Sequence, residues 1–166
     1  KLSRKSIIVK GCWKHHTSTQ YSGNLGGLAG ADAKCQERAD AVGLGGQWKA
    51  WLSDSATSAA SRLVHSDVSY QRLGGAIIAN NWTDLTDGIL QNPINMTELG
   101  TTVSRDTWTH TLPNGKIRPD TGHCNNWTSA SLFDGGDYGS TDSIDSLWTN
   151  KGGAFACDRS KSLYCF

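Results

Sequence analysis

GNLGGLAGADAKCQERADAVGLGGQWKAWLSD, residues 23–54, joins a helix to a strand. Apolar or small residues at Leu28, Ala31, Cys35, Ala39 and Val42 fall along one face of a helix, and Asp32, Lys34, Gln36, Glu37, Arg38 and Asp40 take the other faces. Gly43 followed by Leu44 is a stop signal, because glycine accepts the left-handed position after a helix and Leu44 can fold back on the last turn. Beyond Gly45-Gly46, Trp48 to Leu52 alternates as a strand, with Trp48, Ala50 and Leu52 on one face. Cys35 sits on the buried helical stripe, where a bond to a distant strand would fasten helix to sheet.

The chain around this stretch has 166 residues, enough for one domain with a real core. Its net charge of +1 and the lack of a long basic run argue against nucleic acid or an anionic membrane surface as the main partner. No apolar run approaches the ~20 residues of a membrane span. Ile7-Ile8-Val9 is too short for the apolar region of a signal peptide, so a mature or excised fragment is expected. Seven tryptophans and 19 glycines point to a loop-rich fold with aromatic packing.

Cysteines stand at 12, 35, 124, 157 and 165, with no CxxC and no zinc-finger spacing. Disulfides are the better reading, with one cysteine left over. Four half-cystines allow three pairings, and arithmetic does not choose among them.

In chain order, Ser6 to Val9 reads as a first strand behind a frayed leader or linker at 1–5, and Gly11 to Gln20 as a polar, irregular, exposed loop. His15 and His16 are adjacent, and on an extended segment neighbouring side chains point to opposite sides, which counts against joint metal ligation. Ser55 to Leu63 suggests a short helix or ordered loop, and Leu73 to Ala79 a short buried strand. The long stretch from Asn80 to Thr107 lacks periodicity, as segments that carry function or wrap a core often do. Asp106 to Thr111 (DTWTHT) alternates around Trp108, and Pro113-Asn114-Gly115 marks a turn. Leu132 to Leu147 reads as a loop rich in glycine and aspartate. Trp148-Thr149, Ala154 to Cys157 and Leu163 to Phe166 read as short closing strands. One long helix among many short strands is an α+β composition.

No nucleophile elbow, zinc-protease helix, phosphate loop or dinucleotide fingerprint occurs, so no enzyme is expected. A hydrolytic site would have to be assembled from His65, His110 or His123 with distant aspartates. Asp134, Asp137, Asp142 and Asp145 lie within twelve residues, and such oxygen-rich loops can ligate Ca²⁺. The spacing is not that of an EF-hand, and turn chemistry alone also explains it. Trp48, Trp108 and Trp148 are expected in the core. Trp82 and Trp127, in Asn-Trp-Thr contexts, could stack on a sugar ring or lie packed beneath a loop. Asn81, Asn95 and Asn126 head N-x-T sequons.

The GNLGGLAGADAKC opening, DTWTHT, GHCNNWTS and the closing ACDRSKSLYCF resemble a bacterial extracellular domain family of unknown function. More distantly, the same landmarks resemble endostatin, whose fold is C-type-lectin-like. Trp51-Leu52-Ser53 matches a segment after endostatin's main helix, and Cys124-Asn-Asn-Trp127, Cys157 and Cys165 stand where its later cysteines do. The resemblance covers about Ser6 to Phe166. It implies a single C-type-lectin-like domain over 1–166, with nested disulfides Cys35–Cys165 and Cys124–Cys157 and with Cys12 free or intermolecular. Loops of those lengths are worth roughly 5 and roughly 4 kcal/mol in the chain-entropy model. Endostatin's zinc-binding N-terminal histidines have no counterpart here. Its heparin-binding arginines are reduced to Arg62, Arg72, Lys116 and Arg118, so heparin affinity does not carry over.

The combined expectation is a secreted or cell-surface recognition or adhesion module, with a glycan or surface protein as ligand, within a larger, oligomeric, fibre-like protein. The alternatives are an oligomerising cap and a hydrolase with a dispersed site. Long loops opposite the closed base would hold the ligand. Trp127 or Tyr138 would form the apolar platform, and Asp134, Asp137, Asp142 and Asp145 would accept hydrogen bonds or, if Ca²⁺ binds, ligate it.

Overall fold

The computed structural model describes residues 12–166; the strand expected at Ser6 to Val9 and the leader lie outside them. The elements are β1 (Cys12–His16), α1 (Gly27–Ala41), α2 (Ala59–Arg62), β2 (Tyr70–Arg72), β3 (Ile77–Ala79), α3 (Trp82–Leu85), β4 (Asp106–Trp108), β5 (Gly135–Ser140), β6 (Ala154–Ala156) and β7 (Tyr164–Cys165). They form a mixed α+β domain with two sheets. One sheet has the order β3-β2-β1-β7, with β1 parallel to β2 and antiparallel to β7, and the other is the antiparallel set β4-β5-β6. No described helix is long and apolar enough to cross a membrane.

The helix stops where its sequence says it should. Gly43, at φ 71°, donates its N–H to Asp40 O, and Leu44 N–H reaches back to Ala39 O at 2.9 Å. These are the two bonds of a Schellman cap. Ala31, Cys35 and Ala39 are the buried stripe, while Val42 stays exposed. A stripe of small residues buries little area, so polar ties reinforce the docking. Asp32 accepts from Ala50 N–H at 2.9 Å and from the Arg62 guanidinium at 2.6 and 2.7 Å. Glu98 accepts from Arg38 Nε and Ser18 N–H, each at 2.8 Å.

Residues 48–52 lie against the chain end, with Lys49 and Phe166 exchanging N–H···O bonds and Trp51 N–H bonded to Tyr164 O. The strand expected here is reduced to a single bridge between Ala50 and Cys165, and Trp48, Ala50, Trp51 and Leu52 are buried while Lys49 is exposed. Trp48, Ala50 and Leu52 enter a core beneath α1 with Leu25, Trp108 and Trp127. Trp51 points the other way, into a second core with Tyr70, Ile78, Leu85, Trp148 and Tyr164. The cystines close as the endostatin resemblance implies. Cys35–Cys165 ties α1 to β7 and Cys124–Cys157 closes the second loop, with Cα separations of 5.5 and 5.7 Å, while Cys12 is free.

Four further sequence expectations are corrected. In the segment expected as an exposed loop, Cys12 to His16 form β1, a strand between two neighbours, and His15 and His16 are both fully buried. His15 packs on Trp48 at 4.8 Å, while His16 Nε2 lies 3.2 Å from Val103 O. The strand expected over Leu73 to Ala79 is the second arm of a hairpin whose first arm, β2, had no sequence signal. Trp148-Thr149 is no strand, because Ser146–Trp148 forms a 3₁₀ turn capped by Asp145. Most consequential, the supposed loop from Leu132 to Leu147 contains β5, the middle strand of its sheet. Its glycines mark close packing: a Cβ on Gly136 would meet Cys124 Sγ at 2.6 Å and the Trp108 ring at 2.7 Å, and one on Gly139 the Trp148 carbonyl oxygen at 2.0 Å.

Candidate functional site

Because β5 is a buried strand, its alternation sends Asp137 inward, where it is 1% exposed. His110 Nδ1 lies 2.6 Å from Asp137 Oδ2, and Arg118 Nη1 donates to Asp137 Oδ1 at 3.0 Å. Arg118 Nε pairs with Asp120 at 2.7 Å, and Asp120 comes within 3.4 Å of His110 Nδ1. His110 has φ 45°, a left-handed conformation that ends the DTWTHT strand early. Burial pushes the Asp137 carboxyl above the ordinary carboxylate range, against the opposing pull of His110 and Arg118. Asp120 goes the other way. Its partial burial acts to raise it, but hydrogen bonds with Asp137 and Gly122 N–H and the charge of Arg118 hold it below the usual range.

Two residues beyond Gly122 the backbone turns left-handed. Cys124, Asn125, Asn126 and Trp127 have φ of 47, 51, 54 and 63°. Trp127 N–H bonds to His123 O at 2.7 Å and Thr128 N–H to Cys124 O at 3.1 Å, closing one left-handed helical turn. Such residues each cost about 1–2 kcal/mol unless they are Gly, with Asn the best tolerated, so the turn is held from outside. Cys124 is locked to Cys157, the Trp127 indole donates to Ser53 O at 2.7 Å, and Trp127 O accepts from Leu25 and Gly26 N–H at the start of α1. Strain of this kind, over-determined by its surroundings, gathers at functional sites.

The turn forms one wall of an open cleft of about 370 Å³ lined by Thr121, His123, Asn125, Phe133, Asp134 and Gly135. Phe133 stands at its lip 89% exposed, an orientation that no core packing explains. His123 Nδ1 accepts from Asn126 N–H at 2.9 Å, which leaves Nε2 as the donor in the neutral ring. Asp134 accepts from Ser129 Oγ through one carboxylate oxygen, and its other oxygen makes no hydrogen bond among the described residues.

The expected site residues do not converge. Trp127 is fully buried and offers no face to a ligand, and Asp137 belongs to the internal network; both corrections follow from β5 being a strand and the turn being packed beneath it. Tyr138 is half-buried under Lys161, whose Nζ lies 4.2 Å from its ring centre and 4.2 Å from that of Phe155. Asp142 accepts from Asn95 at 3.2 Å, and Asp145 caps Leu147 N–H. A strand of six residues, about 20 Å long, separates Asp134 from Asp142, so the four aspartates do not form a Ca²⁺ cage. Among the described residues, the grouping with metal-ligand spacing is His110, Asp120 and Asp137, and the Arg118 guanidinium already serves as cation to both carboxylates. Asp134 alone of the expected residues lines the cleft. His123, Asn125 and Phe133 were not expected there; the Asn-Asn pair, tolerant of positive φ, was the available signal.

The chain is thus a small mixed α+β domain with two nested disulfides and an open cleft. Residues 18–144 match the family described as a protein of unknown function (DUF1554), and the chain belongs to that family. The match takes in α1, the left-handed turn and β5. No curated protein matches.

Proposed function

We propose that this domain is a recognition module of C-type-lectin-like architecture, displayed outside the cell, that binds a carbohydrate in the His123 cleft. One observation carries the reading: Phe133, 89% exposed, and Asp134 line one cleft with His123 and Asn125 of a strained, disulfide-locked turn. An aromatic face packs against the C–H side of a sugar ring, while a donor, an amide and a carboxylate match its hydroxyls. The two disulfides support an oxidising compartment. The lining holds one carboxylate, so binding proceeds without Ca²⁺. The module binds and does not turn over its ligand: the His110–Asp137 pair is enclosed, and among the described residues no nucleophile is bonded to His123.

A glycan array probed with the whole chain, with and without EDTA, tests this. Binding should survive EDTA and fall at least about tenfold in Phe133→Ala, a loss of ~1.4 kcal/mol. Sugar binding unchanged in Phe133→Ala and Asn125→Gly would place the ligand elsewhere.

A further inference from the structure

Lys14, on β1, is 5% exposed although it carries an ammonium group. Its Nζ sits over two rings, 5.2 Å from the centre of Tyr70 and 4.9 Å from that of Phe166. Among the described residues no carboxylate lies within 4.0 Å of it. Ring faces offset only part of the desolvation of a buried cation, and buried charges are as a rule paired. Burial draws the Lys14 pKa below that of an ordinary lysine, with the neighbouring Cys12 thiol opposing the shift.

Lys14 lines a cavity of about 200 Å³ whose walls include Leu63, Tyr70 and Phe166, with Gln47 and Lys49 exposed on its rim. No acidic residue lines it among the described residues. The volume exceeds that of several water molecules at ~30 Å³ each. Mostly apolar walls around a few polar groups are the makeup of small-molecule sites. We propose that this cavity binds a small monocarboxylate with an apolar tail, its carboxylate on Lys14 Nζ and its tail between Leu63, Tyr70 and Phe166. The charge complementarity is specific. A single buried ammonium with one outer lysine suits a monoanion, and the described lining residues lack the fork of donors that a phosphate group takes.

Calorimetric titration of the whole chain with octanoate and with 1-octanol, which share a tail and differ in charge, tests the assignment. Octanoate should bind at least tenfold more tightly than octanol. Lys14→Met should erase that difference and Lys14→Arg should retain part of it. Bound octanoate should also slow alkylation of Cys12, which lines the same cavity. Equal affinities for the two probes in the unaltered protein, or no octanoate binding at millimolar concentration, overturn the proposal. So does unchanged octanoate affinity in a folded Lys14→Met protein. Should that variant not fold, the octanoate–octanol comparison and the Cys12 protection in the unaltered chain decide it.

Discussion

Asp137 and His110 meet in the interior at 2.6 Å between Oδ2 and Nδ1, and neither side chain has appreciable exposure. This contact, with Arg118 on the other carboxylate oxygen, pins the 118–123 segment to β5 and so fixes the floor behind His123, whose ring is 5.2 Å from that of His110.

Asp137→Asn should destabilise the protein by about 1–3 kcal/mol, because the buried site loses the charged acceptor of His110 and Arg118, while Arg118 keeps Asp120. Asp142→Ala should cost less than about 0.5 kcal/mol, since that carboxylate is exposed on the surface. Urea unfolding of the two variants gives both values. Equal, small losses would mean that the network contributes little.

Stability should fall in mild acid through His15. Its pKa in the fold is lowered from 6.5 to about 4, chiefly by burial, and among the described residues neither ring nitrogen has a hydrogen-bond partner. Between those values the unfolded chain takes up a proton that the folded chain refuses. The contribution is therefore complete above about pH 6.5 and lost as pH falls towards 4. The difference of 2.5 units (6.5 − 4) corresponds to on the order of 3 kcal/mol. His16, lowered in the same direction by burial, adds to it. Urea midpoints at pH 7.5 and 4.5 should differ less in His15→Leu than in the unaltered protein; an identical pH dependence would remove His15 as the cause.

The left-handed turn gives a backbone test that leaves the core untouched. Asn125 has φ 51° and an exposed side chain. Asn125→Val should cost about 1–2 kcal/mol, whereas Asn125→Gly should be neutral or mildly stabilising. Thermal denaturation that ranks valine at or above glycine would contradict the strain.

Non-reducing peptide mapping should recover Cys35 with Cys165 and Cys124 with Cys157, leaving Cys12 open to alkylation. Cys35→Ser should cost about 2–5 kcal/mol. It releases α1 from β7 across a separation of 130 residues, against 33 for the inner bond. A larger loss in Cys157→Ser would show that the strained turn depends on its disulfide more than chain entropy predicts.

The helix, its stop at Gly43 and the shared face of Trp48, Ala50 and Leu52 were legible in the chain, because each is written in local periodicity and in a glycine that a specific turn requires; that the segment makes one bridge and no strand was not. The cystine pairing was not written there. It came from resemblance to another protein, since spacing alone does not tell which cysteines meet. The hairpin arm β2 escaped notice because three residues, Tyr70 to Arg72, are too few to show a period.

What tertiary structure alone decided is the meaning of GGDYGS. Read locally, glycine and aspartate signal a loop. In the fold the same glycines admit the Cys124 sulfur, the Trp108 ring and the Trp148 carbonyl within distances that any Cβ would block. The strand between them turns Asp137 from an exposed ligand into a buried ion-pair partner. Likewise Trp127 could not be placed from its sequence, because its burial depends on a left-handed turn held by Ser53, α1 and Cys157. A side chain's exposure is set by neighbours distant in the chain, and local pattern carries no record of them.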